Sequence, residues 1–261
     1  KVIFTSGCTE AINLAILGSV QEGGHVICTC NEHNSVLRPL FELKSKWLID
    51  VTVVEPEDER GITVNDIKGH IKPNTYMICV NHISNVDGAR AQIDEIGEFC
   101  AEHCIYFLVD CAQSAGHVNI DMQKQNIDFL AIAPHKGLYA LQGVGVLCCS
   151  AKTKLLPIKF GGTGTDSINV RQPLEPPEAF ESGTIATPAI ISLGAGLSFV
   201  KEHFKEIEKR LEDLTTYINY ELRNTNGVKV YTHPDNAYGV ISFNIKDMPS
   251  TDVANVLDTK Y

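Results

Sequence analysis

The feature that most constrains the fold is the alternation of strand-like and helix-like segments over the first 150 residues. Short apolar runs recur at residues 1–5, 25–30, 51–54, 76–80, 105–109 and 129–132. Helical patterns lie between most of these runs, for example at 63–71 and 93–103. Such alternation is typical of a parallel sheet, because each helix returns the chain along a face of the sheet. We therefore predict an α/β fold, with a mostly parallel sheet and helices on both faces.

The pattern changes after residue 150. Residues 160–184 are rich in glycine and proline, which predicts an irregular segment at an active site or a subunit interface. Two predicted helices follow at 188–200 and 202–223, then strand-like runs at 228–231 and 240–244. A last helix begins with Ser250 or Thr251 as its cap. These segments predict a large domain over 1–200 and the start of a smaller α+β domain over 201–261.

Both ends of the chain lie inside predicted elements. Lys1 opens within a strand-like run, and Tyr261 closes a helical one. We therefore expect a fragment of a longer protein, in which the start of the large domain and most of the small domain are missing.

Composition excludes several classes of function. The net charge of −10 disfavours a nucleic-acid surface or an anionic membrane face, and no apolar run reaches the roughly 20 residues of a membrane span. The nine cysteines are an odd number and include no CxxC pair, which argues against a disulfide framework and a structural zinc site. Several lie in apolar strands and are expected in the core: Cys28, Cys30, Cys79, Cys148 and Cys149. We expect a cytoplasmic protein without a bound metal.

Polar side chains gather where the predicted strands end. They are Thr9, His33, Asn85, Asp110, Gln113, His135 and Lys136. In open α/β sheets, ligands bind at the carboxyl edge of the strands. Seven separate coincidences are a poorer explanation than one shared site.

Each of these residues also has an ordinary alternative. Lys136 follows a buried strand, where partial desolvation would lower the pKa of its amine and allow a Schiff base with a carbonyl cofactor; it could equally be a solvated loop lysine. His33 could stack on a planar ring or lie on a surface loop. Asp110 could keep a pyridine nitrogen protonated or cap the next turn.

An anion site is expected near the start of the chain. A strand, the turn Ser6-Gly7-Cys8-Thr9 and a helix at 11–17 follow one another. Free N–H groups at a helix start attract anions, but Ser and Thr also cap helices routinely. The turn alone does not decide between these alternatives.

Taken together, six stretches resemble the cysteine desulfurase branch of the class V aminotransferase family, whose members have the type I fold of pyridoxal-phosphate enzymes. They occur in the family's order and cover almost the whole chain. They are Thr5-Ser6-Gly7-Cys8-Thr9-Glu10, Glu32-His33, His82-Ile83-Ser84-Asn85, Val109-Asp110-Cys111-Ala112-Gln113-Ser114, His135-Lys136-Gly137 and Phe180-Glu181-Ser182-Gly183-Thr184.

The resemblance implies catalytic roles for three residues. Lys136 would be the Schiff-base lysine and proton shuttle, His33 would stack on the ring of pyridoxal 5′-phosphate (PLP), and Asp110 would pair with the ring nitrogen. The implied reaction converts L-cysteine to L-alanine and passes sulfur to an enzyme cysteine outside this chain, and from there to a sulfur-acceptor protein.

The resemblance implies binding roles for the others. Cys8 and Thr9 would hold the cofactor phosphate together with His135, while Gln113 and Asn85 would contact the phenolic oxygen and its neighbours. A further residue, Thr184, would reach the phosphate in the other subunit, which implies a homodimer with shared active sites.

The sequence departs from the family pattern at three places. Ala133 replaces the usual serine, Ala140-Leu141 replaces Gly-Pro, and the chain ends before the family's sulfur-accepting cysteine and carboxylate-binding arginine. The same pocket therefore also fits another class V enzyme: a selenocysteine lyase, an aminotransferase or an epimerase. A scaffold protein without turnover is a third hypothesis, which the presence of Lys136, Asp110 and His33 disfavours.

Overall fold

A computed structural model of the protein describes residues 1–58, 60–165 and 168–260. No helix in these ranges combines the length and the apolar character needed to cross a membrane. In chain order the elements are β1 Val2–Thr5, α1 Cys8–Gly18, β2 Gly24–Thr29, α2 Asn34–Ser45, β3 Ile49–Val54, α3 Val64–Lys68, β4 Thr75–Asn81, α4 Ile93–Glu102, β5 Tyr106–Asp110, β6 Phe129–Ile132, β7 Gly145–Cys149, α5 Thr187–Arg223, β8 Val228–Val230, β9 Phe243–Ile245 and α6 Ser250–Lys260.

The described residues build a seven-stranded, mostly parallel sheet in the order β1-β7-β6-β5-β4-β2-β3. Strand β7 runs antiparallel to both of its neighbours, β1 and β6. The other neighbouring strands are parallel. Because β1 and β6 are both antiparallel to β7, they run in the same direction as each other. The carboxyl ends of β1 to β6 therefore all lie at one edge of the sheet. The prediction of a mostly parallel α/β sheet is confirmed. A separate antiparallel pair, β8 and β9, lies near the C-terminal end.

Helices cover both faces of this sheet, as predicted. On one face, α1 and α2 pack Ile12 and Leu40 against strand residues that include Met77. On the other face, α3 and α4 bring Ile67 and Ile96 against the adjacent strand residue Ile78. Side chains alternate along a strand, so successive residues of β4 enter the cores on opposite faces of the sheet. A strand that is buried on both faces is apolar at nearly every position.

The prediction of two helices at 188–200 and 202–223 is wrong, because α5 is one continuous helix. The junction, Val200-Lys201-Glu202, contains neither the proline nor the glycine pair that would break a helix. Gly196, inside this helix, has a packing role. A Cβ there would lie 1.9 Å from the carbonyl oxygen of Leu138. Helix α5 also continues through residue 200, where we place the domain boundary, and that division stays a prediction.

Two other predicted elements are shorter than expected. The helix predicted at 63–71 is only Val64–Lys68, because Gly69 and a turn end it. The strand predicted at 240–244 is Phe243–Ile245. The residues before it are used elsewhere: the carbonyl oxygen of Val240 lies against Gly88 in the loop after β4. Sequence periodicity cannot show such a distant contact.

The predicted irregular segment is confirmed where the structure describes it. Residues 160–165 and 168–184 contain turns and bends but no helix or strand; Asp166 and Ser167 lie outside the described residues. The cysteine prediction holds in part. Cys28, Cys79 and Cys149 are buried, but Cys148 is only half-buried and Cys30 is exposed. Cys30 is exposed because β2 ends at Thr29, which places the cysteine in the following turn.

Candidate active site

One cleft at the carboxyl edge of the sheet contains all seven predicted strand-end residues. Its volume is about 260 Å³, and it lies where β1, β2, β4, β5 and β6 end. The predicted residues that line it are Cys8, Thr9, His33, Asn85, Asp110, Gln113, His135 and Lys136. Residues from five separate segments of the chain therefore meet here, as expected for parallel strands that end at one edge.

A short hydrogen-bond chain fixes His33 in this cleft. His33 is the N-cap of α2, and its Nδ1 accepts the backbone N–H of Ser35 at 3.1 Å. The hydroxyl of Ser35 lies 2.7 Å from the same Nδ1 and 2.8 Å from the hydroxyl of Thr9. Because Nδ1 accepts, the proton of the neutral ring is on Nε2. The first turns of α1 and α2 thus hold the imidazole in one orientation.

Asp110 ends β5 and is buried, with 3% of its surface exposed. Its Oδ1 accepts the N–H of Ala112 at 2.8 Å and faces the Cys8 thiol at 3.8 Å. Burial raises the pKa of Asp110, while the Ala112 N–H and the charge of Lys136 oppose that rise. Within the described ranges no group hydrogen-bonds Oδ2, so that oxygen is available to a ligand in the cleft.

The Cys8 thiol is a donor in this arrangement. Burial, followed by the charge of Asp110, raises its pKa well above the usual value, so it stays protonated. A protonated thiol can donate weakly to the carboxylate, and it is a poor nucleophile.

Lys136 lies in a tight turn after β6. Its backbone N–H donates to the carbonyl of Ala133 at 3.1 Å, and its own carbonyl accepts from Tyr139 at 3.1 Å. Gly137 packs closely, since a Cβ there would lie 2.3 Å from the carbonyl oxygen of Ala115. The backbone under the lysine is therefore fixed.

We expected the side chain of Lys136 to be partly desolvated, and that expectation is wrong. The side chain is exposed at the cleft. The residue stands four positions beyond the end of β6, in the turn and not in the sheet, which explains its exposure.

The predicted anion site has the backbone it needs. Gly7 is the N-cap of the 11-residue helix α1 and provides no side-chain cap. The N–H groups of the first turn have no acceptor within a helix, so they can bind an anion. Glu10 in the same turn does not oppose this role strongly, because Lys159 lies 2.8 Å from its carboxylate and the Ser6 N–H donates to it.

Thr184 is not in this cleft. It lines a neighbouring pocket with Phe4, Thr5 and Ser6, beside the end of β1. Its implied reach into the other subunit stays a prediction.

Sequence reasoning missed two polar side chains that line the cleft, those of Asn81 and Ser35. Asn81 ends β4 and lies opposite Asp110 in the register of β4 and β5. The rule that identified Asp110 could therefore have found it. Ser35 stands two positions after His33, where a hydroxyl commonly bonds a cap residue.

The chain is similar to known proteins along nearly its whole length. The family described as Aminotransferase class-V matches residues 1–260. A probable cysteine desulfurase of Methanothermobacter thermautotrophicus is 32% identical over 264 residues, and one of Halalkalibacterium halodurans is 33% identical over 267 residues; each alignment covers 99% of this chain. The chain spans 66% and 65% of these two relatives.

A solved structure shows the same fold. The apo structure of a cysteine desulfurase from Thermococcus onnurineus NA1 superposes with a TM-score of 0.88 at 31% identity, over 98% of this chain and 66% of that one. Because the family model matches residues 1–260, the chain belongs to the class-V aminotransferase family.

Proposed function

We propose that the protein is a PLP-dependent cysteine desulfurase, which converts L-cysteine to L-alanine and transfers the sulfur to a thiol. The observation that carries the proposal is the convergence of Lys136, Asp110 and His33 on one cleft. Relatives about 32% identical are named probable cysteine desulfurases, which supports the choice of reaction within the family.

The residues of the cleft fit PLP. The cofactor has an aldehyde, a basic ring nitrogen, a flat ring and a phosphate, and the cleft offers a partner for each. Lys136 provides an amine, Oδ2 of Asp110 is free to accept, and His33 provides a fixed planar ring. The first turn of α1, with Cys8 and Thr9, provides N–H groups for the phosphate.

When bound, PLP supplies an electron sink that stabilises negative charge at the substrate's α-carbon. Nζ of Lys136 would hold the cofactor and, once the amine of L-cysteine has displaced it, would take the α-proton, because it is an amine at the cleft. Its fixed backbone and exposed side chain allow the amino end to move between these positions.

Two other residues support this step. Asp110 keeps a proton on the ring nitrogen, since a buried carboxylate stabilises an adjacent cation. His33 would contact the face of the ring and exclude water from it. Asn85 and Gln113 line the same cleft and would bind the phenolic oxygen and neighbouring atoms; His135 would assist at the phosphate.

The thiol that receives sulfur is expected outside this chain. In the transfer, the substrate's C–S bond breaks, sulfur bonds to the acceptor thiolate, and the carbon gains a proton to give alanine. Cys8 lines the cleft but is unsuited as the acceptor, because burial raises its pKa and keeps it protonated. A homodimer and a separate sulfur-acceptor protein are further parts of the proposal.

The deciding experiment measures products from the intact protein. L-Cysteine and a reductant are added, and alanine and sulfide are quantified over time. We expect equal amounts of both, and we expect Lys136→Ala to abolish both. Lys124→Ala is the control, since this exposed lysine pairs with Asp121 and does not line the cleft.

The other outcomes are informative. Visible absorbance that depends on Lys136, without alanine, would replace the proposal with another class V reaction: selenocysteine lysis, transamination or epimerisation. Biological activity that survives Lys136→Ala would instead favour the scaffold hypothesis.

A further inference from the structure

A buried acid directly precedes the histidine of the cleft. Glu32 is 6% exposed, and within the described ranges it makes no salt bridge. Burying a carboxyl group without a cationic partner is costly, so it indicates a local role. Glu32 itself does not line the cleft, so any role it has there must be indirect.

The hydrogen bonds of Glu32 join two strands to the turn that carries His33. Its Oε1 accepts the hydroxyl of Thr29 and the backbone N–H of Asn81, both at 2.7 Å. Thr29 is the last residue of β2, and Asn81 is the last residue of β4. Through these two hydrogen bonds, Oε1 of Glu32 links the β2–α2 turn to the end of β4 beside the cleft.

We propose that Glu32 is a positioning residue, which fixes the β2–α2 turn and thereby sets the imidazole of His33 over the cofactor. This role rests on the proposed function for the identity of the ring that His33 contacts. The positioning itself depends only on the geometry of this chain.

The distribution of hydrogen bonds indicates that Glu32 acts as a neutral acid. Oε1 accepts two bonds, as a carbonyl oxygen does, whereas Oε2 is buried and finds no partner among the described residues. The proton therefore belongs on Oε2. In agreement, burial raises the pKa of Glu32 to about 8.

Neighbouring charges favour the same state. The titratable groups near Glu32 include the adjacent His33, Asp110 and the thiols of Cys28, Cys30 and Cys79. Burial raises the pKa of all three thiols, so they are uncharged at neutral pH. Two nearby buried carboxyl groups ionise one at a time, and a neutral Glu32 leaves Asp110 as the charged one.

The test compares a neutral isostere with a truncation in the intact protein. Glu32→Gln keeps an oxygen that can accept both bonds, whereas Glu32→Ala removes it. The readouts are the His33 imidazole resonances of the cofactor-free protein, by ¹H–¹⁵N NMR, and the dissociation constant for PLP. We expect Glu32→Gln to stay within about 3-fold of wild type, and Glu32→Ala to shift the His33 resonances and weaken PLP binding about 10-fold or more.

Two further variants keep the test decisive. Asp128→Ala is the matched control: this buried acid also accepts a backbone N–H, from Phe107, but at the opposite edge of the sheet. It should lower thermal stability and leave both readouts unchanged. If Glu32→Ala does not fold, Thr29→Val removes one of the two donors and should produce a smaller shift of the same resonances.

Several results would overturn the inference. Unchanged His33 resonances in both Glu32→Ala and Thr29→Val would do so. Equal damage by Gln and Ala would show that a charge, and not an acceptor, is needed. Failure of wild type to bind PLP would refute the proposed function alone, because the His33 resonances report positioning without the cofactor.

Discussion

Two buried side chains beside the cleft, Glu32 and His82, are titratable groups held in their neutral forms. His82 is fully buried, and its Nε2 accepts from Nε of Arg90 at 3.3 Å, so the ring proton is on Nδ1. Burial, with a smaller effect of Arg90, lowers the pKa of His82 to about 3. The two groups shift in opposite senses, since burial penalises the charged form of each.

These shifts predict how stability depends on pH. Between about pH 4.5 and 8 the unfolded chain loses the Glu32 proton that the folded chain keeps, so stability falls as pH rises. Between about pH 3 and 6.5, His82 is protonated in the unfolded chain but stays neutral in the folded chain. Stability therefore falls as pH drops. Each contribution has a slope of about 1.4 kcal/mol per pH unit.

The two slopes cancel over the interval that they share. We therefore expect a plateau near pH 4.5–6.5 and a decline toward pH 8 that belongs to Glu32. Glu32→Gln should remove this decline, whereas Glu57→Gln, at an exposed position, should preserve it. Urea unfolding at several pH values measures both. A wild-type decline that persists in Glu32→Gln would mean that Glu32 is ionised in the folded protein.

At the scale of elements, the contact between α5 and the turn after β6 determines where Lys136 stands. Leu138 packs with Ala189 and Leu193 of the helix, and Gly196 approaches the Leu138 carbonyl so closely that a Cβ would lie 1.9 Å from its oxygen. Backbone cannot yield as a flexible side chain does. A larger residue must therefore push the helix away from the turn.

The neighbouring glycine of α5 provides a matched control for this contact. Gly196→Ala should lower the free energy of unfolding by about 1–3 kcal/mol and weaken PLP binding, because the displaced turn carries Lys136. Gly194→Ala, with nothing within 4 Å of its Cβ, should raise that free energy by up to about 1 kcal/mol through helix propensity alone. Urea unfolding and a PLP titration give both quantities. Equal effects of the two substitutions would mean that the contact is not rigid.

At the scale of the whole molecule, the sequence predicts where the site lies better than how it is held together. An apolar run followed by a polar residue indicates a strand end, which is why Asp110 and His33 could be found. The links between them join residues far apart in the chain, such as Cys8 with Asp110 and Thr9 with Ser35. No local pattern encodes these pairs, nor the insertion of antiparallel β7 between β1 and β6.

The exposed apolar side chains near the site are a second property of the whole molecule. Tyr139, in the turn after Lys136, lies edge-on to Phe199 of α5 at 5.5 Å between ring centroids, and both are about half exposed. Ile191 and Leu141 are exposed nearby along the same helix and turn. Large exposed apolar groups of this kind are typical of subunit interfaces, which supports the proposed homodimer.

A subunit-mixing experiment tests whether the dimer shares its sites. If Thr184 serves the partner's cleft, a hybrid of one Lys136→Ala subunit and one Thr184→Ala subunit contains one complete site. That site combines the lysine of the second subunit with the threonine of the first. Its alanine production should approach half that of wild type, because one of two sites is intact. The control hybrid carries both substitutions in one subunit beside a wild-type subunit. It contains no complete site, and its one site that keeps the lysine lacks the threonine, so its activity should be about half that of the Thr184→Ala dimer. If the control is instead the more active hybrid, Thr184 acts within its own subunit, where it lies beside the end of β1 and outside the cleft of Lys136.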